Sequence, residues 1–204
     1  MKLHLFSLAT ILSLVSFSTH ATPILSSFTQ PAVYFSQDHS LGYAFSSDTD
    51  TTVTALGFFD SNSDGLSADH EVGLWDASGS LLGLVDLSAG TGESLIDEFR
   101  YGFLSTGVNL LAGLTYYLAG TTNADDWVYQ ASDIVMDTGI NYLGSYYTPN
   151  VGGSAKFPPI LAPSREYMTV NALTAVRIPE PETILMFTLG LLGLKLSRRS
   201  IVKK

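Results

Sequence analysis

The chain has 204 residues, a net charge of −9 and no cysteine. That length suits one domain of ordinary size once targeting segments are set aside. The lack of cysteine excludes a disulfide framework, an acylated lipoprotein anchor, a thiol nucleophile and a thiolate metal site, so the fold must rest on an apolar core.

The N-terminus opens with Met1-Lys2 and a mostly apolar run from Leu3 to Phe17. Thr19-His20-Ala21 then puts small residues at the two positions a signal peptidase reads. Residues 1–21 are expected to be a secretory signal peptide, with Thr22 opening the mature chain; the competing expectation is a retained N-terminal anchor. Between residues 22 and 178 lie seventeen acidic and four basic side chains. Such a field repels phosphate backbones and excludes nucleic acid as a partner, while favouring solubility outside the cell.

The middle of the chain reads as strands and turns. Thr52–Phe59 alternates apolar and small residues of β-branched and aromatic types. Glu71–Asp76, Leu81–Leu87, Phe99–Leu104, Leu114–Gly120, Asp126–Gln130, Ile140–Tyr147 and Tyr167–Val176 continue the pattern. Gly, Asp, Asn and Ser separate these runs at sandwich-like spacing. An all-β, antiparallel, jelly-roll-like β-sandwich is expected over about residues 28–176, in an ectodomain spanning 22–176. Val151–Tyr167 holds three prolines and two adjacent glycines. It is expected to be a loop rather than a sheet strand, capping one end of the sandwich or lying over a face.

Between the first two of these strands, Asp60–Glu71 fits the spacing of a calcium loop. Asp60, Asn62 and Asp64 would supply side-chain oxygens, Leu66 a carbonyl and Glu71 a bidentate carboxylate, an oxygen set suited to Ca²⁺. The strand-like flanks argue against paired helices around it. The same residue types also make an ordinary polar connection between strands.

No catalytic constellation stands out. His39 and His70 are the only histidines of the ectodomain, and no G-x-S-x-G elbow, H-E-x-x-H pair or phosphate loop is present. Paired carboxylates carry no signal in so acidic a chain, and the expectation is that the protein is not an enzyme. Trp75, Trp127 and ten tyrosines could stack on sugar rings. Both tryptophans equally suit the core, with outward tyrosines as ordinary cross-strand pairs.

The tail begins with Pro179-Glu180-Pro181-Glu182, which two prolines keep extended. Residues 177–182 are expected to be a hinge and 183–204 a short membrane helix with a basic tip. Thr183–Leu194 is uncharged. As a helix it would cover about 18 Å, short of the ~30 Å hydrocarbon core. Lys195, Arg198, Arg199, Lys203 and Lys204 follow. They fix the C-terminus in the cytoplasm and the β-domain outside the inner membrane.

Pro179, Glu180 and Pro181, the short apolar run, and then Arg198 and Arg199 together resemble the PEP-CTERM sorting signal of exported bacterial proteins. The resemblance covers about the last 26 residues of the chain. Ile178 stands where the family usually has Val, and the tail after the arginines is longer than usual. The resemblance implies processing by a membrane-embedded exosortase, a transient hold in the inner membrane, and a place at the envelope, surface or matrix of an exopolysaccharide-making bacterium. Asp64–Leu82 also looks like a recurrent β-ectodomain of such proteins, with no activity attached to it. The leading expectation is a non-enzymatic surface or matrix protein. The alternative is an envelope-held carbohydrate-binding module for exopolysaccharide.

Overall fold

A computed structural model describes residues 21–30, 32–34, 38–149 and 151–175. The expected signal peptide (save Ala21), the hinge 177–182, the helix 183–204 and the motif residues Pro179, Glu180, Pro181, Arg198 and Arg199 lie outside the described residues. The strands are β1 Ala21–Pro23, β2 Leu25–Thr29, β3 Ala32–Tyr34, β4 His39–Ser47, β5 Thr51–Phe59, β6 His70–Asp76 and β7 Leu81–Leu87. They continue as β8 Ser94–Ile96, β9 Phe99–Leu110, β10 Thr115–Thr121, β11 Trp127–Tyr129, β12 Ser132–Met136, β13 Ile140–Pro149, β14 Ile160–Leu161 and β15 Val170–Ala175. The all-β antiparallel expectation holds: every strand pairing is antiparallel, and no α-helix occurs among the described residues.

Two main sheets carry the fold. One runs β1-β15-β5-β9-β8 and the other β14-β13-β4-β10-β6-β7, with the small pairs β11-β3 and β12-β2 beside them. Strand periodicity places alternate residues on opposite faces, so each main sheet offers an apolar face to the other. Phe58 of β5 stacks on His70 of β6 across the interior, ring centroids 3.9 Å apart. Gly102 of β9 leaves the room that Val85 and Leu87 of β7 fill, and Gly120 of β10 does the same for Val170 and Phe58. Tyr43, Phe45, Leu74, Leu118, Leu56 and Val170 from both sheets belong to one buried apolar cluster.

The β12-β2 pair is tied to the five-stranded sheet. Phe28 of β2 meets Phe59 and Phe99 edge-on, at 6.2 and 6.3 Å between ring centroids. Asn171 of β15 is buried and fixes β2 with its amide, which donates to the Leu25 carbonyl and accepts from the Leu25 N–H.

The proline-rich stretch corrects one expectation. Ile160–Leu161 form a short edge strand against Tyr146 and Tyr147 of β13. The rest of the stretch is a loop that lies on the face of the six-stranded sheet. The Lys156 N–H donates to Ser40 Oγ, and Phe157 meets Tyr117 of β10 edge-on at 5.0 Å.

Candidate functional site

The loop that scans as a calcium site holds an internal cation, the guanidinium of Arg100. Asp60 directly follows β5 and is buried at 2 % exposure. Its Oδ2 accepts from Arg100 Nε of β9 at 2.6 Å, and both its oxygens accept from the Gly65 N–H at 3.1 Å. The rest of the Arg100 fork donates to the carbonyls of Ser63, Thr91 and Glu93. A guanidinium thus fills the role that a divalent ion would have in such a loop.

The other expected ligands are dispersed. Asn62 and Asp64 are exposed, and Asn62 takes a positive φ of 68° in the short 3₁₀ turn. The Leu66 carbonyl accepts from the Gly90 N–H at 2.7 Å. Glu71 Oε2 accepts from the Ala155 N–H at 2.8 Å. Among the described residues no three His, Asp or Glu side chains converge on a point that could hold a metal. In this arrangement Asp60, Asn62, Asp64, Leu66 and Glu71 make the polar connection between strands that the same residue types also allow, and it ties neighbouring loops together. The reason is that Asx side chains serve turns and backbone amides as readily as they serve cations.

The same loop is clasped from its far side by Asp125. That carboxylate accepts from the N–H groups of Ser67 and Ala68 and lies 2.8 Å from His70 Nε2. His70 Nδ1 faces the Thr121 carbonyl at 2.6 Å, so both ring nitrogens are held by the fold. Burial pushes the Asp125 carboxyl up, but the bonds from His70, Ser67 and Ala68 outweigh it and bring it to about 2. The folded value lies below the unfolded value of about 3.9. The clasp therefore stabilises fully above that pH, and its contribution is lost as pH falls through the folded value. Asp125→Asn is expected to lower the melting temperature at neutral pH, with the gap to wild type closing between about pH 4 and about pH 2. A gap that stays constant over that range would show that ionisation of Asp125 contributes nothing.

A second site lies where His39 and Leu41 of β4, Trp127 and Tyr129 of β11, and Tyr147 of β13 come together with Arg165 and Tyr167. They line an open cleft of about 230 Å³. Leu41 and Trp127 are buried, at 2 % and 7 % exposure, while Tyr129 and Tyr147 are part-exposed. Trp127 packs edge-on to Tyr167 at 5.7 Å and to Tyr129 at 6.0 Å, as aromatic quadrupoles prefer. The Arg165 guanidinium is exposed, and its pKa is raised first by the Tyr167 side chain and then by Tyr129 and Tyr147. Burial holds His39 below its ordinary value against the pull of Asp38.

Of the two tryptophans named from sequence, Trp127 alone belongs to this cleft. Trp75 of β6 is 4 % exposed and folds its indole back over Gly73 of its own strand, so the two rings form no shared platform. The sequence alone does not bring the other cleft residues together. Leu41, Tyr43 and Phe45 alternate along β4, a signal that could have found that strand and with it His39 and Leu41. Tyr129, Tyr147 and Tyr167 are among the tyrosines that could stack on sugar rings, but no local pattern singles them out from the rest or marks Arg165.

Among curated proteins, no relative matches this chain. Residues 28–141 match a domain of unknown function, DUF4082, and residues 177–199 match the PEP-CTERM protein-sorting motif. The first match covers more than half of the chain, from the end of β2 to the start of β13. The second contains Pro179, Glu180, Pro181, Arg198 and Arg199, and it marks an exported, surface-sorted protein processed by an exosortase. The chain thus belongs to the DUF4082 family and carries that family's β-domain ahead of a PEP-CTERM sorting tail.

Proposed function

We propose that the protein is a non-enzymatic component of the bacterial surface or extracellular matrix, delivered by its tail. The observation that carries this reading is the order of parts in residues 177–199: Pro179-Glu180-Pro181, a charge-free apolar run, then Arg198-Arg199. Physics gives each part a task. Two prolines disfavour helix and ladder pairing, which suits a motif presented to a processing enzyme. The apolar run is too short for a comfortable span, which suits a temporary hold in the inner membrane. The arginines and lysines keep the tip cytoplasmic. The β-domain we read as a jelly-roll-like sandwich, supported by the chain's repeated passage between the two main sheets.

The test is the intact mass of the mature protein from its native host. The expected mass begins at Thr22 and ends near Pro179–Glu182. A mass ending at Lys204 contradicts processing.

A second reading has a specific observation in its favour. The aromatic cleft around Trp127 has the composition of a sugar site, with apolar ring faces beside hydroxyl and guanidinium donors. On that reading the domain is an envelope-held carbohydrate-binding module for exopolysaccharide.

A further inference from the structure

We infer that this cleft binds one anionic sugar ring, a uronate unit of an acidic polysaccharide, with Arg165 pairing the ring carboxylate. The inference rests on the second reading above and gives it a ligand class. Size comes first. Sites for drug-sized ligands run from about 300 to about 1,000 Å³. A cleft of about 230 Å³ takes a single ring, and its open side lets the rest of a polymer pass outward.

Chemistry comes next. Leu41 and Trp127 give the apolar base, and Tyr129 and Tyr147 are part-exposed walls with hydroxyls that donate and accept. His39 lines the same cleft, and its Nδ1 is buried with no hydrogen-bond partner among the described residues. Such an orphan is costly unless something pairs with it.

Charge decides the ligand class. The described residues include three basic side chains outside histidine: Arg100, Lys156 and Arg165. Arg100 is buried on Asp60 and spent there. Lys156 is exposed on the proline-rich loop and is not among the residues lining this cleft. Arg165 is placed at the cleft, on a domain whose overall field is strongly negative. That field disfavours a polyanion over most of the domain, so at this cleft an acidic chain gains contact where the Arg165 guanidinium meets its carboxylate. Tyr147, Arg165 and Tyr167 all follow residue 141, where the family match ends.

The test uses the full-length chain in detergent, followed by tryptophan fluorescence and calorimetry. The probes are trigalacturonate, the neutral trisaccharide maltotriose and acetate. Trigalacturonate is expected to bind and shift Trp127 emission, with maltotriose weaker and acetate inert. Arg165→Gln, at an exposed position, should weaken trigalacturonate about tenfold or more and maltotriose far less. Tyr129→Ala should weaken both sugars. Equal binding of acidic and neutral sugar, or an Arg165→Gln variant that binds trigalacturonate as wild type does, overturns the charge assignment but leaves sugar binding standing. A shift with acetate equal to that with trigalacturonate shows a simple anion site and overturns it too. No binding of either sugar by a chain with unchanged melting overturns both the inference and the second reading.

Discussion

Arg100→Ala is expected to destabilise the β-domain by about 3–5 kcal/mol, the usual cost of removing one partner of a buried ion pair. The substitution would leave Asp60, 2 % exposed, with only the Gly65 amide to meet its charge. It would also strand the carbonyls of Ser63, Thr91 and Glu93, which the same guanidinium now serves. Lysine should not restore the loss, because an ammonium lacks the planar fork that reaches several acceptors at once. The measurement is the urea midpoint of wild type, Arg100→Ala and Arg100→Lys. A companion measurement addresses the calcium spacing directly. Wild-type melts in calcium and in chelator are expected to coincide, because Asp60 and Glu71 are already engaged by Arg100 and by the Ala155 amide. A calcium-dependent rise in the wild-type midpoint, or an Arg100→Ala cost below 1 kcal/mol, would contradict the internal-cation account.

That loop also shows where reading the sequence reaches its limit. Asp60, Asn62, Asp64 and Gly65 carry the calcium spacing faithfully. What decides their role is Arg100, forty positions away in sequence, and no local pattern announces it. Strands with strong alternation and firm turns were legible nearly to the residue: Leu81–Leu87 is β7, and Thr52–Phe59 is β5 short of one residue. β4 is hard to read although Leu41, Tyr43 and Phe45 alternate, because Ser40, Gly42, Ser46 and Ser47 around them resemble turn material. Those small residues are what let the 151–161 loop lie close over that face, as the bond from Lys156 to Ser40 shows. The short strands β1, β2, β3 and β12 draw their order from tertiary partners such as Asn171 and Phe28 rather than from their own pattern. The cleft was legible in its chemistry and not in its place. Its tyrosines come from three distant segments, and only sheet topology brings Tyr129, Tyr147 and Tyr167 to one end of β4.

Gly42→Ala is expected to be the most damaging small substitution in the domain. Gly42 lies mid-sheet, paired with Ala119 of β10 on one side and Tyr146 of β13 on the other. A Cβ built there would stand 1.9 Å from the Leu118 carbonyl oxygen and 2.8 Å from the Ala119 Cα. Both atoms are backbone, so no rotamer change relieves the clash. β10 cannot step aside either, because its other edge is bonded to β6 from Tyr116 to Gly120. Overpacking in a core that can adjust costs about 1–3 kcal/mol. Here a central ladder must open, and a loss above about 4 kcal/mol or outright misfolding is expected. Gly92→Ala is the matched control, since a Cβ there meets nothing within 4 Å. It should stay within about 0.5 kcal/mol of wild type. Soluble yield, urea midpoint and tryptophan emission of the two variants test this together. Because β4 carries His39 and Leu41 into the cleft, a Gly42→Ala protein that does fold should also show altered Trp127 emission. A Gly42→Ala variant with wild-type midpoint and emission would mean that β4 and β10 lie farther apart than their register requires.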